Sequence, residues 1–436
     1  MLGLKTLRAR QLSRKGEHTT ALVMCGMKDV QVLSRAGMHL SVLELSKGPS
    51  IERALALAHV GEIDSALDMA RLFLRKREAK PLWGFLATQV PEKVLQIIQN
   101  QSGYENVRAY CKCALGDIDG SLVRMKKLST LHAMNVALNK ADVDLARQYF
   151  EKLFTESGLV IPDMDWSSPR LVIASLSNCT SHLQEADGPL VSVILTAYNE
   201  ETLLPMAVRS ILHQEWSHLE LILVDDGSQD RTFAVAKALA EQDQRIRVIR
   251  LSNNVGTWQA KNIAMKEARG AFITMHDADD WSHPAKLSQQ IAPLLRKSEL
   301  LCTSSYFFRI DEETGRPFTR NANSFMRWNP SSLLFRREVI QQIGSYRDGL
   351  LGSDCEFAAR IEAHWGVHSH QRIRKPLAIG LQRKASLSNR HRFRNEGVRR
   401  LKHWEQWRCQ HVRNLSTQLH CYADDVMASS HKESGY

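Results

Sequence analysis

Between Leu190 and His276 the sequence alternates short apolar runs with segments of helical periodicity. The apolar runs span residues 190–196, 219–225, 246–251 and 271–276. Continuous apolar runs of this length are typical of parallel strands that are buried on both faces. Short connections and strand–helix alternation predict a doubly wound, mostly parallel α/β sheet with right-handed crossovers.

Polar residues directly follow three of these four runs. The clusters are Thr196–Glu200, Asp225–Ser228 and Asp277–Asp280. The carboxyl ends of parallel strands meet at one edge of a sheet, where α/β proteins bind ligands. Closely spaced carboxylates suit Mg²⁺ or Mn²⁺ beside a phosphate, although a solvated acidic turn would have the same sequence pattern. Neither Gly-x-Gly-x-x-Gly after the first run nor Gly-x-x-x-x-Gly-Lys-Ser/Thr is present, which disfavours dinucleotide dehydrogenases and P-loop nucleotidases.

Residues 1–155 are predicted to be nearly all helical. A pattern of helix, Gly- or Asp-marked turn and helix recurs about every 21 to 28 residues, for example as Ile51–His59, Gly61 and Ile63–Phe73. Hairpins of this kind stack into an α-solenoid or form an irregular bundle, and the pattern leaves both open. Either arrangement would offer a surface for a protein partner or for the neighbouring domain.

Turn-forming residues separate the helical and the alternating parts of the chain. Proline, glycine and serine are frequent in residues 156–188, which predicts a linker there. We therefore predict four regions. They are a helical-hairpin domain at 1–155, a linker at 156–188, an α/β domain at 189–395 and a basic helical tail at 396–436.

The positive charge is concentrated near the C-terminus. The formal net charge is +11, and the stretch from Arg372 to Arg413 carries thirteen Lys or Arg against two Glu. Such a stretch suits an anionic partner, such as a membrane surface or a phosphorylated substrate. Leu401, Trp404 and Trp407 either form an apolar strip in a membrane interface or cover the core of the α/β domain. Nucleic acid is not expected as a partner, because no aromatic-interleaved or zinc motif is present.

Composition also bounds the location. No apolar run approaches the roughly 20 residues that a membrane span requires, and no apolar segment of signal-peptide length follows the basic N-terminus. The eight cysteines are scattered and predict reduced thiols rather than a disulfide framework. We expect a cytoplasmic protein that associates peripherally with the inner membrane face.

Ordered motifs between about residues 189 and 390 resemble family 2 of the inverting nucleotide-sugar glycosyltransferases, which have the GT-A fold. No resemblance of this strength covers residues 1–155. The matching segments are Val191–Glu200, Val224–Asp230, Asn254–Asn262, His276–Trp281, Ser331–Tyr346, Gly352–Phe357 and Ser386–Ser388.

The resemblance implies a role for each residue that matches a family motif. Thr196 and Tyr198 would line the pocket for the donor's base, and Glu200 would cap the same loop. Asp226 would accept a hydrogen bond from an N–H of uracil. Asp277 would reach the ribose hydroxyls, with a second possible role as a metal ligand.

Further roles concern the metal, the diphosphate and the acceptor. Asp279 would bind Mn²⁺ or Mg²⁺, and Asp280 would support it. Arg383 and Lys384 would contact the diphosphate. Asp354 would be the catalytic base, although the family usually has Gly-Glu-Asp where this chain has Gly352-Ser353-Asp354.

The resemblance implies a metal-dependent, inverting glycosyltransferase that moves a sugar from a UDP-sugar to a glycan or lipid-linked acceptor. Family habit suggests bacterial surface polysaccharide, such as capsule or lipopolysaccharide, as the product. The alternative is a catalytically degenerate nucleotide-binding protein that works as a scaffold through its helical array.

Overall fold

The chain forms two compact units in a computed structural model that describes residues 2–15, 17–118, 128–177, 188–347, 352–384, 398 and 400–415. Unit 1 comprises Met1–Phe73, Ala358–Ser369 and His391–Tyr436. Unit 2 comprises Leu74–Phe357 and His370–Arg390. We describe each unit by itself.

Unit 1 is helical in its described part. Consecutive helices pack against each other around small and branched apolar side chains, including Ala21, Leu33 and Val42. A C-terminal helix at residues 400–415 joins them through Val412. The N-terminal helices are α1 (Leu2–Arg14), α2 (His18–Met24), α3 (Val30–Arg35), α4 (His39–Leu45), α5 (Ile51–Val60) and α6 (Ile63–Arg71).

The C-terminal helix of unit 1 uses its polar and aromatic side chains for packing. The Glu405 carboxylate accepts backbone N–H bonds from Leu40 at 2.6 Å and Ser41 at 3.2 Å, at the start of α4. The Trp404 indole donates to the carbonyl of Ala36, and Trp407 is buried. The predicted strip of Trp404 and Trp407 therefore packs within unit 1, which is neither the membrane interface nor the α/β-domain core that the sequence left open.

Unit 2 is built around one mixed sheet with the strand order β3-β2-β1-β4-β8-β6-β9-β5, with β7 paired to β6. Strands β1, β2, β3 and β4 are mutually parallel, and β8 runs antiparallel to β4. The strands are β1 (Val191–Ala197), β2 (Leu219–Asp225), β3 (Ile246–Arg250), β4 (Phe272–Asp277), β5 (Trp281–Ser282), β6 (Cys302–Asp311), β7 (Pro317–Phe318), β8 (Arg327–Arg336) and β9 (His370–Gln382).

Helices join the parallel strands of this sheet. On one face, the side chains of Val193 and Leu195 pack with helical residues such as Val208 and Leu287. The later helices of unit 2 are α12 (Leu204–Leu212), α13 (Thr232–Gln242), α14 (Thr257–Glu267), α15 (Lys286–Arg296) and α16 (Glu338–Ile343), followed by α17 (Ser353–Trp365), which begins in unit 2.

Five helices that precede the sheet in sequence also belong to unit 2. They are α7 (Lys80–Ala87), α8 (Pro91–Ile98), α9 (Glu105–Leu115), α10 (Thr130–Asn139) and α11 (Val143–Glu156). The loop after β7 contacts α7 directly, since the Asn321 amide donates to the carbonyl of Pro81 and the Asn323 amide to that of Lys80. The His132 imidazole contacts the carbonyl of Ala322 at 2.9 Å.

The predicted fold class is confirmed. The observed α/β elements lie within a few residues of the predicted ones, and helices precede them as expected. The compact units divide elsewhere than the sequence predicted, because α7–α11 share polar contacts and a core with the sheet. Part of the predicted linker, including Leu171 and Ile173, is buried in that same core. The predicted tail is helical at residues 400–415, and residues 416–436 lie outside the described part.

Candidate active site

The carboxyl ends of β1, β2 and β4 lie side by side. Ala197 is paired with Asp225, and Thr196 with Asp277. This register brings together the three polar clusters that follow the strands. The predicted convergence at one sheet edge is therefore present.

Asp226 organises the loop that leads into α14. Its two carboxylate oxygens accept backbone N–H bonds from Val255 at 2.8 Å and Gly256 at 3.0 Å. Burial raises the pKa of Asp226, while these two N–H bonds oppose the rise. A carboxylate has about four acceptor positions, so Asp226 retains capacity for a ligand N–H.

A cleft of about 360 Å³ opens beside Asp226. Arg250 lies on its wall, where the guanidinium stacks on the Phe233 ring at 4.2 Å and pairs with Asp225 at 3.7 Å. A pocket with a flat cation, small polar groups and an apolar side chain suits a heteroaromatic base. The lining residues are Gly227, Ser228, Gln229, Arg250, Leu251 and Ser252.

The loop after β1 has an unusual backbone conformation. Asn199 adopts a left-handed φ of 52°, and its amide oxygen accepts the backbone N–H of Gln229 at 2.9 Å. Tyr198 beside it is 47% exposed, so its ring face is accessible to a ligand. The Thr196 hydroxyl is buried deeper and lies 3.1 Å from that of Thr257.

Asp277 is paired with a buried ammonium group. The Lys261 Nζ lies 2.9 Å from its Oδ1, and Lys261 is itself only 2% exposed. Burial opposes ionisation of Asp277, but the Lys261 charge outweighs it and lowers the pKa to about 2. Asp277 is thus held as a carboxylate that can accept hydrogen bonds at neutral pH.

Arg383 connects the end of β9 to two other segments of the site. Its Nη1 lies 3.0 Å from Glu200 Oε1, and its Nη2 lies 2.5 Å from Glu200 Oε2 and 2.8 Å from Asp279 Oδ2. Burial opposes the positive charge, but the two carboxylates raise the pKa of Arg383 above its usual range. Bidentate pairs of this kind fix geometry as well as charge.

Lys384 has a different environment from Arg383. Its Nζ lies 2.6 Å from Glu313, and its side chain is 83% exposed. Of the two predicted diphosphate contacts, Arg383 is therefore the one that contacts the acidic cluster.

A buried polar chain supports the turn that carries Asp279. The Lys286 ammonium donates to the Ser282 hydroxyl at 3.1 Å, and that hydroxyl lies 3.3 Å from His276 Nδ1. His276 Nε2 contacts the carbonyl of Asp280 at 3.0 Å. Burial, reinforced by the Lys286 charge, lowers the pKa of His276 to about 3, so the ring is neutral and donates from Nε2.

Asp354 lies at the start of α17, beside the acidic edge. Its Oδ2 accepts from the Ser331 hydroxyl at 3.4 Å. The same hydroxyl also contributes to the lowered pKa of Asp277. Ser331 of β8 therefore lies between Asp277 and Asp354.

The segment that precedes α17 is fixed to α14 by Asn262. The Asn262 amide donates to the carbonyl of Tyr346 at 2.8 Å and accepts its N–H at 3.1 Å. The Tyr346 ring packs against Phe357 at 5.0 Å and Trp258 at 5.1 Å. This packing fixes the chain at Tyr346, eight residues before Asp354 in the sequence.

The donor set fits a divalent cation only in part. Among the residues described, no group of three His, Cys, Asp or Glu could hold a metal alone. Mg²⁺ commonly takes one or two carboxylates, substrate phosphate oxygens and water rather than an all-protein cage. Asp279 fits that pattern as a single carboxylate beside a basic side chain.

Sequence reasoning missed several residues of the site. Lys261 and Ser331 each contact a predicted site residue, and Arg250 lines the cleft beside Asp226, yet none was assigned a role. Ser331 lay within a recognised motif, and Lys261 within another, so proximity to Asp277 was the missing information. The motif at Ser386–Ser388 lies outside the described residues.

Comparison with known proteins agrees with this arrangement. Residues 192–350 match the family model for Glycosyl transferase family 2. This segment of the chain is therefore similar to family 2 glycosyltransferases. The matched segment begins at the second residue of β1 and ends shortly before α17, so it includes both the acidic edge and Ser331.

The chain spans about half the length of the curated relatives it matches. It is 36% identical over 189 residues to the "uncharacterized glycosyltransferase EpsJ" of Bacillus subtilis, which covers 39% of this chain and 53% of that protein. It is 33% identical over 126 residues to the "putative teichuronic acid biosynthesis glycosyltransferase TuaG" of the same organism, covering 29% and 50%.

A solved structure gives a more distant similarity. S. aureus TarS in complex with UDP-GlcNAc is 17% identical, with a TM-score of 0.38, and the match covers 45% of this chain and 60% of TarS. At that distance the likeness carries no argument about function. In the described part of the chain, no helix has the length and apolarity to cross a membrane.

Proposed function

We propose that this protein is an inverting glycosyltransferase that moves a hexosyl or N-acetylhexosaminyl group from a UDP-sugar to an acceptor hydroxyl, with help from Mn²⁺ or Mg²⁺. The observation that carries the proposal is the position of Ser331 between Asp277 and Asp354. It unites a donor-side carboxylate with a carboxylate suited to act as a base.

Asp354 would act on the acceptor. A carboxylate removes a proton from a hydroxyl as that hydroxyl attacks, provided that it lies within hydrogen-bond reach of it. Asp354 is partly buried at a helix start and accepts from Ser331. A single displacement with one base inverts the anomeric carbon, and no protonated acid is needed because a nucleoside diphosphate already leaves readily.

The opposite side of the site would hold the donor. Tyr198 and the cleft beside Asp226 would take the base, and Asp226 would accept from the N3–H of uracil. Asp277, kept ionised by Lys261, would accept from the ribose hydroxyls. These assignments favour a uridine donor because uracil presents an N–H at that position.

Asp279 would hold the divalent ion, with Asp277 as the other candidate ligand. A bound Mn²⁺ or Mg²⁺ supplies neutralisation of the leaving diphosphate. Arg383 would add positive charge to the same group, since its guanidinium already lies against Asp279. Its fork geometry suits phosphate oxygens as well as carboxylates.

The names of the relatives favour a polysaccharide product. One relative is named for teichuronic acid biosynthesis, and the acceptor here would be a glycan or a lipid-linked glycan of a bacterial surface polymer. A cytoplasmic location remains a prediction. Contact with an anionic inner membrane face also remains a prediction, and it rests on the charge of Arg372–Arg413 because the apolar strip is used in packing. A protein partner of the N-terminal helices also remains a prediction.

A donor panel tests the proposal. Purified protein is incubated with UDP- and GDP-sugars in Mn²⁺, and nucleoside diphosphate release is followed with and without EDTA. We expect release from at least one UDP-sugar, loss in EDTA, and a fall of about 100-fold or more in Asp279→Asn. Asp311→Asn, at the last residue of β6, is the matched acidic control.

The scaffold alternative makes a different prediction. A degenerate nucleotide sensor would bind UDP equally well with and without Mn²⁺ in calorimetry and release no product. Metal-independent binding without turnover on any donor of the panel would reject the transferase proposal.

A further inference from the structure

Four side chains from three neighbouring strands form a cluster beside the candidate base. The Trp328 indole of β8 donates to the Ser304 hydroxyl of β6 at 2.7 Å. His370 Nε2 of β9 lies 2.7 Å from the same hydroxyl. The Arg372 guanidinium of β9 stacks over the Trp328 ring at 4.5 Å. We call these residues the Trp328 cluster.

The strand register places the Trp328 cluster on the face of the sheet that carries Asp354. Cys302 is paired with Phe335 on one side and with His370 on the other. The Phe335 ring packs against Phe357 of α17 at 5.2 Å, so these paired residues share the α17 face. Side chains alternate along a strand, and Ser304, two residues after Cys302, therefore faces the same way.

Two further contacts agree with this assignment. Arg372 is paired with Ser304 in the same part of the ladder, before its irregularities. Thr303, between Cys302 and Ser304, bonds instead to the carbonyl of Gln290 in α15, on the opposite face. Trp328 and Ser331 lie on the same strand, in the stretch where the β6–β8 ladder is irregular.

The floor of the Trp328 cluster is rigid. Ser304 is fully buried and His370 is 8% exposed, and both are hydrogen-bonded, which fixes the indole plane. Arg372 above it is exposed. A guanidinium stacked on an aromatic ring keeps its five N–H donors in its own plane, directed outward from the ring edge.

The local charge favours an anion. The segment His370–Lys375 contains three Lys or Arg and no acidic residue. Guanidinium groups bind carboxylate and phosphate through two parallel hydrogen bonds. A neutral sugar would have no need of this charge.

We propose that the Trp328 cluster is the acceptor subsite and that it selects an acceptor bearing an anionic substituent, a phosphate or a uronic acid carboxylate. This inference rests on the proposed transferase function. Trp328 supplies an aromatic platform, and Arg372 binds the anionic group while the attacking hydroxyl points to Asp354.

Matched small probes test the subsite. Glucose, glucuronate and glucose 6-phosphate are titrated by calorimetry into protein with UDP and Mn²⁺, at constant ionic strength. We expect at least one anionic probe to bind tenfold or more tightly than glucose. Whether the tighter probe is glucuronate or glucose 6-phosphate identifies the substituent.

Variants then assign the preference to the residues. Arg372→Gln is expected to remove the preference for an anionic probe, and Trp328→Leu is expected to weaken the binding of all three probes. Arg296→Gln, which removes an exposed arginine of α15, should retain the preference. Equal binding of the three probes to wild type, or a preference that survives Arg372→Gln, would overturn the subsite.

Donor hydrolysis without acceptor separates this inference from the proposed function. Wild-type protein that releases no nucleotide from any donor would refute the transferase function. Hydrolysis with no anionic preference would refute the subsite alone.

Discussion

The Ser331 hydroxyl donates to Asp354 Oδ2 at 3.4 Å and also contributes to the lowered pKa of Asp277. One residue of β8 is thereby close to both a carboxylate at the end of β4 and a carboxylate at the start of α17. Ser331 thus lies between the predicted donor side and the candidate base.

Ser331→Ala should separate positioning from donor binding. Loss of the hydroxyl leaves both carboxylates without a shared donor, and we expect kcat to fall about tenfold, the cost of roughly one hydrogen bond to a charged group. The donor KM should stay within about twofold. Ser331→Thr retains the hydroxyl and should recover most of the rate; an inactive Thr variant beside an active Ala variant would contradict this role.

Arg383→Gln should raise the affinity for the metal ion and lower the apparent affinity for the donor. The guanidinium now neutralises Asp279, so its removal leaves the carboxylate open to a cation. We expect Mn²⁺ alone to bind severalfold more tightly, measured by electron paramagnetic resonance of the unbound ion, while the donor KM rises about tenfold.

Lys384→Gln is the matched control for Arg383→Gln. Lys384 pairs with Glu313 at an exposed position, where ion pairs contribute little. The Mn²⁺ affinity and the donor KM should therefore both remain at wild-type values. Identical behaviour of the two variants would mean that general positive charge, rather than the contact with Asp279, determines metal affinity.

Gly84→Ala tests the docking of the loop after β7 on α7. A Cβ at this position would collide with the side chains of Asn321 and Asn323, whose amides hold the α7 carbonyls. We expect a loss of about 1–3 kcal/mol in the free energy of unfolding, measured with urea. Gly48→Ala, where a Cβ meets nothing within 4 Å, should be close to neutral.

Buried histidines should make the protein sensitive to acid. Burial lowers the pKa of His132 to about 4 and of His283 to about 4. Between pH 4 and 6.5 the unfolded chain therefore binds protons that the folded chain does not, and stability falls as the pH falls. Each such histidine should contribute a slope of about 1.4 kcal/mol per pH unit in that window.

Urea unfolding at several pH values measures this slope. His132→Gln removes one titrating group while it keeps a polar side chain that can reach the Ala322 carbonyl. The variant should show a shallower dependence between pH 4 and 6.5, and an unchanged or steeper one would contradict the assignment.

The sequence predicted the sheet well because its signal is local. Each strand from β1 to β4 is a continuous apolar run, and each polar cluster follows its own strand, so topology rules alone bring Thr196, Asp226 and Asp277 together. Contacts that depend on distant segments could not be inferred in this way. Lys261 and Asp277 meet only because α14 packs beside β4, and the helices after Leu74 join the sheet through a loop more than 200 residues later.

Amphipathic patterns also have two meanings that sequence cannot separate. Trp404 and Trp407 are spaced for a single helix face, which fits a membrane surface as well as a protein core. Glu405 on the same helix accepts the N–H groups of α4, and such a contact across the chain is invisible to periodicity.

The most direct test of the transferase mechanism is the rate of sugar transfer by Asp354→Asn relative to wild type, with Mn²⁺ and the donor found in the panel. Asparagine preserves shape and hydrogen bonding to Ser331 but cannot accept a proton. We predict a fall in kcat of about 10²–10⁴-fold with UDP affinity unchanged in calorimetry. Transfer by Asp354→Asn at the wild-type rate would show that Asp354 is not the base and would contradict the mechanism.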